Sequence, residues 1–168
     1  EVIRRAIDGV DGVFHLAARV GVGQSMYQID EYTSVNDLGT AVLLQELIAR
    51  PVRRLVVASS MSVYGEGLYV DGRGREVADA GRNEAAVRSG TWDPLAADGS
   101  PLEPVPTPER KPVDLASVYA LGKYVQERMC MIVARAYGFE AAALRLFNVY
   151  GPRQALSNPY TGVLAIFG

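Results

Sequence analysis

The sequence predicts an α/β fold built on a doubly wound parallel sheet. Three observations predict it. Continuously apolar runs of strand length recur at 10–16 (VDGVFHL), 54–58 (RLVVA) and 141–147 (AAALRLF). Two long stretches between them, 29–50 and 117–137, carry apolar residues at helical spacing. The order is strand, helix, strand, insertion, helix, strand, which closes as right-handed parallel crossovers.

Each element has its own reason. Strands apolar on both faces belong to sheets covered by helices on both sides. The first long helix places Val35, Leu38, Val42, Leu44, Leu47 and Ile48 close to helical spacing, and Pro51 ends it. The second places Val118, Leu121, Val125, Met129, Ile132, Val133 and Ala136, with Gly138 as its stop. Residues 65–112 break every period. Pro recurs there at 101, 104, 106, 108 and 112, among Gly, Asp and Arg, so a long loop or insertion is expected.

Composition bounds the function. The 168 residues suffice for one domain with a core, and 49% hydrophobic with 21% charged residues is an ordinary globular balance. A net charge of −2 argues against nucleic acid or an anionic membrane surface as partner. No apolar run approaches the length of a membrane span, and no secretory signal opens the chain. The single cysteine, Cys130, lies in the second helical pattern and reads as a buried small hydrophobe. No Cys/His cluster suggests a metal, and a reducing, cytoplasmic setting is expected. Residue 1 is Glu, and an apolar pattern beginning at Thr161 stops at Gly168. The chain is therefore expected to be a piece of a longer one.

Four stretches carry candidate chemistry. Tyr119 and Lys123 (YALGK) lie four apart at the start of the second helix, hence on one face. A phenol is a poor base at neutral pH. A neighbouring ammonium favours the phenolate and lowers its pKa, toward the range of a general base. The same spacing also arises in surface Tyr–Lys pairs. Ser59, Ser60 and Ser62 (SSMSVYG) follow the second strand at its carboxyl end, where open α/β sheets bind ligands. A polar turn would look the same. His15-Leu16-Ala17-Ala18 ends the first strand, and its small residues allow close approach of a cofactor. His15, the only histidine, reads as a hydrogen-bonded core residue. Residues 144–153 (LRLFNVYGPR) end the third strand, with Gly151-Pro152 turning the chain out of the sheet.

Together with 32–40 (YTSVNDLGT), these stretches resemble, in order and placement, the extended short-chain dehydrogenase/reductase family, the NAD-dependent epimerases and dehydratases of nucleotide sugars. The resemblance implies a Rossmann-like NAD-binding domain over 1–150, interrupted by the 65–112 insertion, and the beginning of a substrate-binding lobe over 151–168. It implies that Ser60, Tyr119 and Lys123 are catalytic. It places Leu16, Ala17, Ala18, Arg19, Asn36, Ser59, Tyr119, Lys123 and Phe147 against NAD. It places Ser60, Ser62, Tyr119 and Asn148 against a nucleotide-sugar substrate. A homodimer through the two long helices and a metal-free reaction are also implied. The family's Gly-rich loop and ribose-binding acidic residue belong upstream of residue 1.

The resemblance narrows the reaction. Dehydratases of this family carry an Asp-Glu pair after the catalytic hydroxyl residue, whereas Met61 and Ser62 stand here. Epimerisation at C4 by transient oxidation is therefore expected. A one-way reductase or dehydrogenase and a non-catalytic scaffold are the alternatives. The stretch from Asn148 onward and the insertion resemble the dTDP-L-rhamnose 4-epimerase branch, though the insertion lacks the paired cysteines found there. The segment alone is expected to bind NAD poorly and not to turn over.

Overall fold

The structure, a computed structural model, describes residues 1–155. The expected start of a substrate-binding lobe therefore falls mostly outside the described residues. Two compact units divide the chain: Glu1–Val63 joined by the segment from Ala116 on, and Tyr64–Leu115.

The first unit opens with helix α1 (Val2–Ala6), then strand β1 (Gly12–His15) and the short helices α2 (Val22–Ser25) and α3 (Ile29–Tyr32). A π-helical segment, Thr33–Leu38, follows, then α4 (Gly39–Ala49) and β2 (Arg54–Ser60). After the second unit come α6 (Val118–Tyr137) and β6 (Glu140–Leu146). Strands β1, β2 and β6 form a parallel sheet in the order β1-β2-β6, with Val13 opposite Leu55 and Leu55 opposite Ala141. This is the expected Rossmann-like fold in partial form.

Helices α4 and α6 cover one face of this sheet. Leu43, Leu44 and Leu47 of α4 meet Leu55 and Val57 of β2 and Cys130 and Ala134 of α6 in one buried cluster. Burial of each such leucine stabilises the fold by about 1.5–3 kcal/mol. Cys130 is fully buried, as its place in the helical pattern required, and burial pushes its thiol up to about 12. The opposite face exposes Phe14 and Leu144. Coverage among the described residues is therefore one-sided, where continuous apolarity had suggested two sides.

Helix α6 has both ends fixed by local chemistry. Ser117 Oγ accepts the Ala120 N–H at 3.0 Å as N-cap, and Gly138 closes the helix at φ 78°. The first long helix differs from the reading at 29–50 in one respect. Backbone angles stay helical from Tyr32 through Gly39, but hydrogen bonding there shifts to the π register. Short π-helical turns inside helices often mark functional positions, and sequence periodicity is blind to them.

The second unit spans the stretch read as a loop or insertion over 65–112 and carries short elements that the sequence reading did not assign. Strand β3 (Leu68–Val70) pairs antiparallel with β4 (Glu76–Val77) and with β5 (Glu103–Val105), and α5 (Glu84–Arg88) lies between them in sequence. Strands of two or three residues are too short to show alternation, and Pro104 sits in an edge strand, where its missing N–H is harmless. Tyr69, Ala80 and Leu102 make its small core.

The two ends of this unit are tied together. Lys111, buried, donates from Nζ to the Tyr64 carbonyl at 2.7 Å. Gly65 has φ +65°, and a Cβ there would stand 2.4 Å from Asp114 Oδ2. Gly65→Ala therefore combines left-handed strain with a clash. It should destabilise this unit by about 1–3 kcal/mol, read as faster limited proteolysis within 66–110. Unchanged cleavage would show that Asp114 moves aside at no cost.

Candidate active site

The carboxyl ends of β2 and β6 and the first two turns of α6 bring the predicted catalytic residues together. Strand β2 ends at Ser60. Its hydroxyl lies close enough to the Tyr119 phenol to favour the phenolate, and its oxygen accepts the Ser62 N–H at 3.1 Å. Ser60 Oγ and Ser62 Oγ are also 3.1 Å apart. Lys123, one helical turn past Tyr119, is 4% exposed and donates from Nζ to the Ala58 carbonyl at 2.9 Å. Its Nζ is 6.0 Å from the centre of the Tyr119 ring.

The electrostatics differ from the sequence expectation. Burial raises the Tyr119 phenol above its ordinary value, and the Ser60 hydrogen bond only partly offsets this. Burial holds the Lys123 ammonium down, to about 8. The reason is desolvation, which disfavours phenolate and ammonium alike. In the protein alone, it outweighs the help the sequence had assigned to Lys123.

That lysine sets a pH dependence. An unfolded lysine keeps its proton up to about 10.5, the folded one only to about 8. Between these values the unfolded chain binds more protons, so folding gains stability as pH rises. The urea midpoint of the wild type, minus that of Lys123→Met, should increase from about pH 8 upward. A flat difference would mean that Lys123 is solvated.

The other predicted residues occupy distinct places. Leu16, Ala17 and Arg19 are exposed beyond the end of β1, and Ala18 is half-buried. Asn36, in the π-helical segment and 1% exposed, accepts the Arg19 N–H at 2.7 Å and donates to the Arg19 carbonyl at 3.1 Å. Its polar atoms thus hold the backbone of the segment after β1. Ser59 points to the helix side and donates to Glu127 Oε2 at 2.9 Å. Phe147 and Asn148 are exposed just past β6, at the same end of the sheet as Ser60. His15 is the core residue its context implied. It is buried, with Nε2 2.8 Å from Thr40 Oγ1, and held below its usual value by burial and then by the charge of Lys123.

Three contributors escaped the sequence reading. Glu127 takes a bidentate bond from Arg145, at 3.0 and 2.7 Å, besides the Ser59 hydroxyl. Its spacing was a usable signal, since Tyr119, Lys123 and Glu127 recur every four residues. Gln126 donates to Thr40 Oγ1 at 2.8 Å. Ser25, fully buried, accepts the Tyr119 N–H at 3.0 Å.

Comparison with known proteins supplies the family. The family model described as the NAD dependent epimerase/dehydratase family matches residues 1–167. The chain belongs to that family.

Among curated relatives, the dTDP-L-rhamnose 4-epimerase of Burkholderia thailandensis is 35% identical over 164 residues, covering 92% of this chain and 42% of that protein. A putative UDP-glucose 4-epimerase of Methanocaldococcus jannaschii is 30% identical, over 94% of this chain and 40% of that one. Among solved structures, UDP-glucose 4-epimerase of Thermotoga maritima with UDP-glucose superposes with a TM-score of 0.71 at 28% identity, covering 99% of this chain and 43% of that one. MoeE5 in complex with UDP-glucuronic acid and NAD gives 0.59 at 28% identity, over 93% and 41%. The chain thus spans about two-fifths of the length of these relatives.

The family is NAD dependent, and the donor set here fits the cofactor. Lys123 carries three N–H donors. The Ala58 carbonyl takes one, and a hydroxyl-rich cofactor could accept from the others. Small side chains at Ala17 and Ala18 leave backbone approachable beyond β1. Among the described residues, no helix is long and apolar enough to cross a membrane, and no group of three or more His, Cys, Asp or Glu could hold a metal ion.

Proposed function

We infer that the protein containing this chain epimerises a nucleotide-activated sugar, at C4, through transient oxidation to a keto-sugar. The observation that carries this reading is the buried Lys123 Nζ, 2.9 Å from the Ala58 carbonyl and 6.0 Å from the centre of the Tyr119 ring, beside Ser60 at the carboxyl end of a parallel strand. Tyr119 takes the proton of the sugar hydroxyl as general base. Ser60, tied to Ser62, orients that hydroxyl and the phenol. Lys123 binds the nicotinamide ribose and supplies positive charge beside Tyr119. Leu16, Ala17, Ala18, Arg19 and Phe147 border the cofactor, with Asn36 holding Arg19 in place, while the Ser59 hydroxyl is committed to Glu127, which leaves only its backbone for the cofactor. Ser62 and Asn148 border the substrate. A bound NAD would supply the hydride acceptor and donor that this chemistry needs.

Net epimerisation leaves the cofactor as it began, so a hydride and a proton each leave and return. Met61 and Ser62, where a dehydratase needs two carboxyl groups, favour epimerisation over water elimination. The named epimerases among the relatives support the same choice. Homodimerisation through the two long helices fits the exposure of Leu38 on one and Leu121 on the other, and a cytoplasmic location fits the lone buried cysteine.

The test uses the full-length protein, NAD and a panel of dTDP- and UDP-sugars deuterated at C4. The expected product is inverted at C4, retains the deuterium there, and forms with no net NADH. Net NADH accumulation would support the one-way dehydrogenase reading instead. Loss of the label would show that the C4 hydrogen exchanges with solvent instead of returning as hydride, and inversion at another carbon with the label kept would place the chemistry there.

A further inference from the structure

The backbone of Tyr119 has a partner that the proposed chemistry does not use. Tyr119 lies in the first turn of α6, where main-chain N–H groups have no acceptor within the helix. Ser117 caps the Ala120 N–H. The Tyr119 N–H is taken by Ser25, 94 residues earlier in the chain. Ser25 is fully buried, and its own hydroxyl donates to the Val22 carbonyl at 2.6 Å. Both its donor and an acceptor lone pair are thereby committed, so its oxygen is fixed rather than swivelling.

Ser25 ends the segment that follows β1. That segment is held at three points. Asn36 grips the Arg19 backbone, Tyr32 donates from its hydroxyl to the Val20 carbonyl at 2.5 Å, and Ser25 meets Tyr119. Between them Gly21, at φ 109°, makes the turn. The stretch proposed to border NAD and the residue proposed as base are thus joined by one hydrogen bond.

We propose that Ser25 is a positioning residue: its bond to the Tyr119 amide sets the register of the phenol against Ser60 and couples ordering of the 16–25 segment to placement of the base. This rests on the reading of Tyr119 as general base. Misplacement of a reacting group by a fraction of an ångström costs rate rather than affinity. Slackening of the phenol also moves it away from the Ser60 hydroxyl, which favours the phenolate against burial.

The test compares Ser25→Ala and Ser25→Thr in the full-length protein with NAD and the nucleotide sugar that it turns over. Ser25→Ala should lower kcat roughly 10- to 100-fold with KM changed by less than about twofold. It should also move the ascending limb of the pH–rate profile to higher pH. Ser25→Thr keeps the acceptor and should restore the limb. In a Tyr119→Phe background, Ser25→Ala should have no further effect. An equal loss in that background, or an unmoved limb, overturns the proposal in favour of a merely structural serine. Amide exchange of the wild type decides the case if the alanine variant does not fold. The Tyr119 N–H must be protected, and exchange at the rate of an open peptide overturns the proposal. Full activity of Tyr119→Phe alone would instead sink the base assignment and leave the amide result standing.

Discussion

Tyr119→Phe in the full-length protein should lower turnover about 10²- to 10⁴-fold, the usual contribution of a positioned general base, while the fold persists. The substitution removes one oxygen and keeps the ring. The group it orphans, the Ser60 hydroxyl, retains Ser62 as partner, so no buried polar atom is stranded and NAD binding should survive. The residual rate should lose its dependence on pH in the range where the wild type rises. The sign follows from the structure. A base acts when deprotonated, and burial holds the Tyr119 proton on above its ordinary range. Activity of the wild type should therefore climb with pH through the neutral region, by whatever amount the cationic cofactor and Lys123 pull the phenol down. Kinetics of the variant across pH check both statements. A variant as fast as the wild type would remove Tyr119 from the chemistry.

The largest stability effect is expected at Glu127. Its carboxylate is bonded by Arg145 through two N–H groups and by the Ser59 hydroxyl, and the side chains of Glu127 and Arg145 are only 10% and 20% exposed. Burial acts against its ionised form, but hydrogen bonds from Arg145 and Ser59 more than offset it, and its pKa is held low. Glu127→Ala removes two charge-assisted bonds from a mostly buried guanidinium and the acceptor of a buried hydroxyl. Breaking such a pair costs about 3–5 kcal/mol, and the residual exposure of Arg145 favours the lower end. The double variant Glu127→Leu with Arg145→Leu should recover much of that loss, because it removes both charges. Denaturant titration of the single and double variants reads this directly. Equal destabilisation by the single and double changes would show that packing, not charge, makes Glu127 valuable. The wild-type carboxylate should also lose its contribution as pH falls through its depressed pKa, so acid unfolding should begin earlier in the wild type than in the double variant.

The parallel sheet, its two covering helices and the placement of Tyr119 and Lys123 on one helical face were legible in the chain because each rests on local patterns. Apolar runs at 54–58 and 141–147 mark strands, the period from Val118 to Ala136 marks a helix, and a spacing of four puts Tyr119 and Lys123 on one face. Strand ends then place Ser59-Ser60 beside that face. The tertiary structure alone decided what surrounds these groups. Periodicity says nothing about desolvation, which lifts the Tyr119 phenol and lowers Lys123. It does not register the π-helical turn that presents Asn36 to Arg19, nor the serine 94 residues away that holds the Tyr119 amide. It also misses the strands of 64–115, which are shorter than one alternation. A sequence determines which residues can share a face, because that is geometry along one element. Which buried dipole meets which, and at what cost in lost water, depends on elements distant in the chain, and only their packing together decides it.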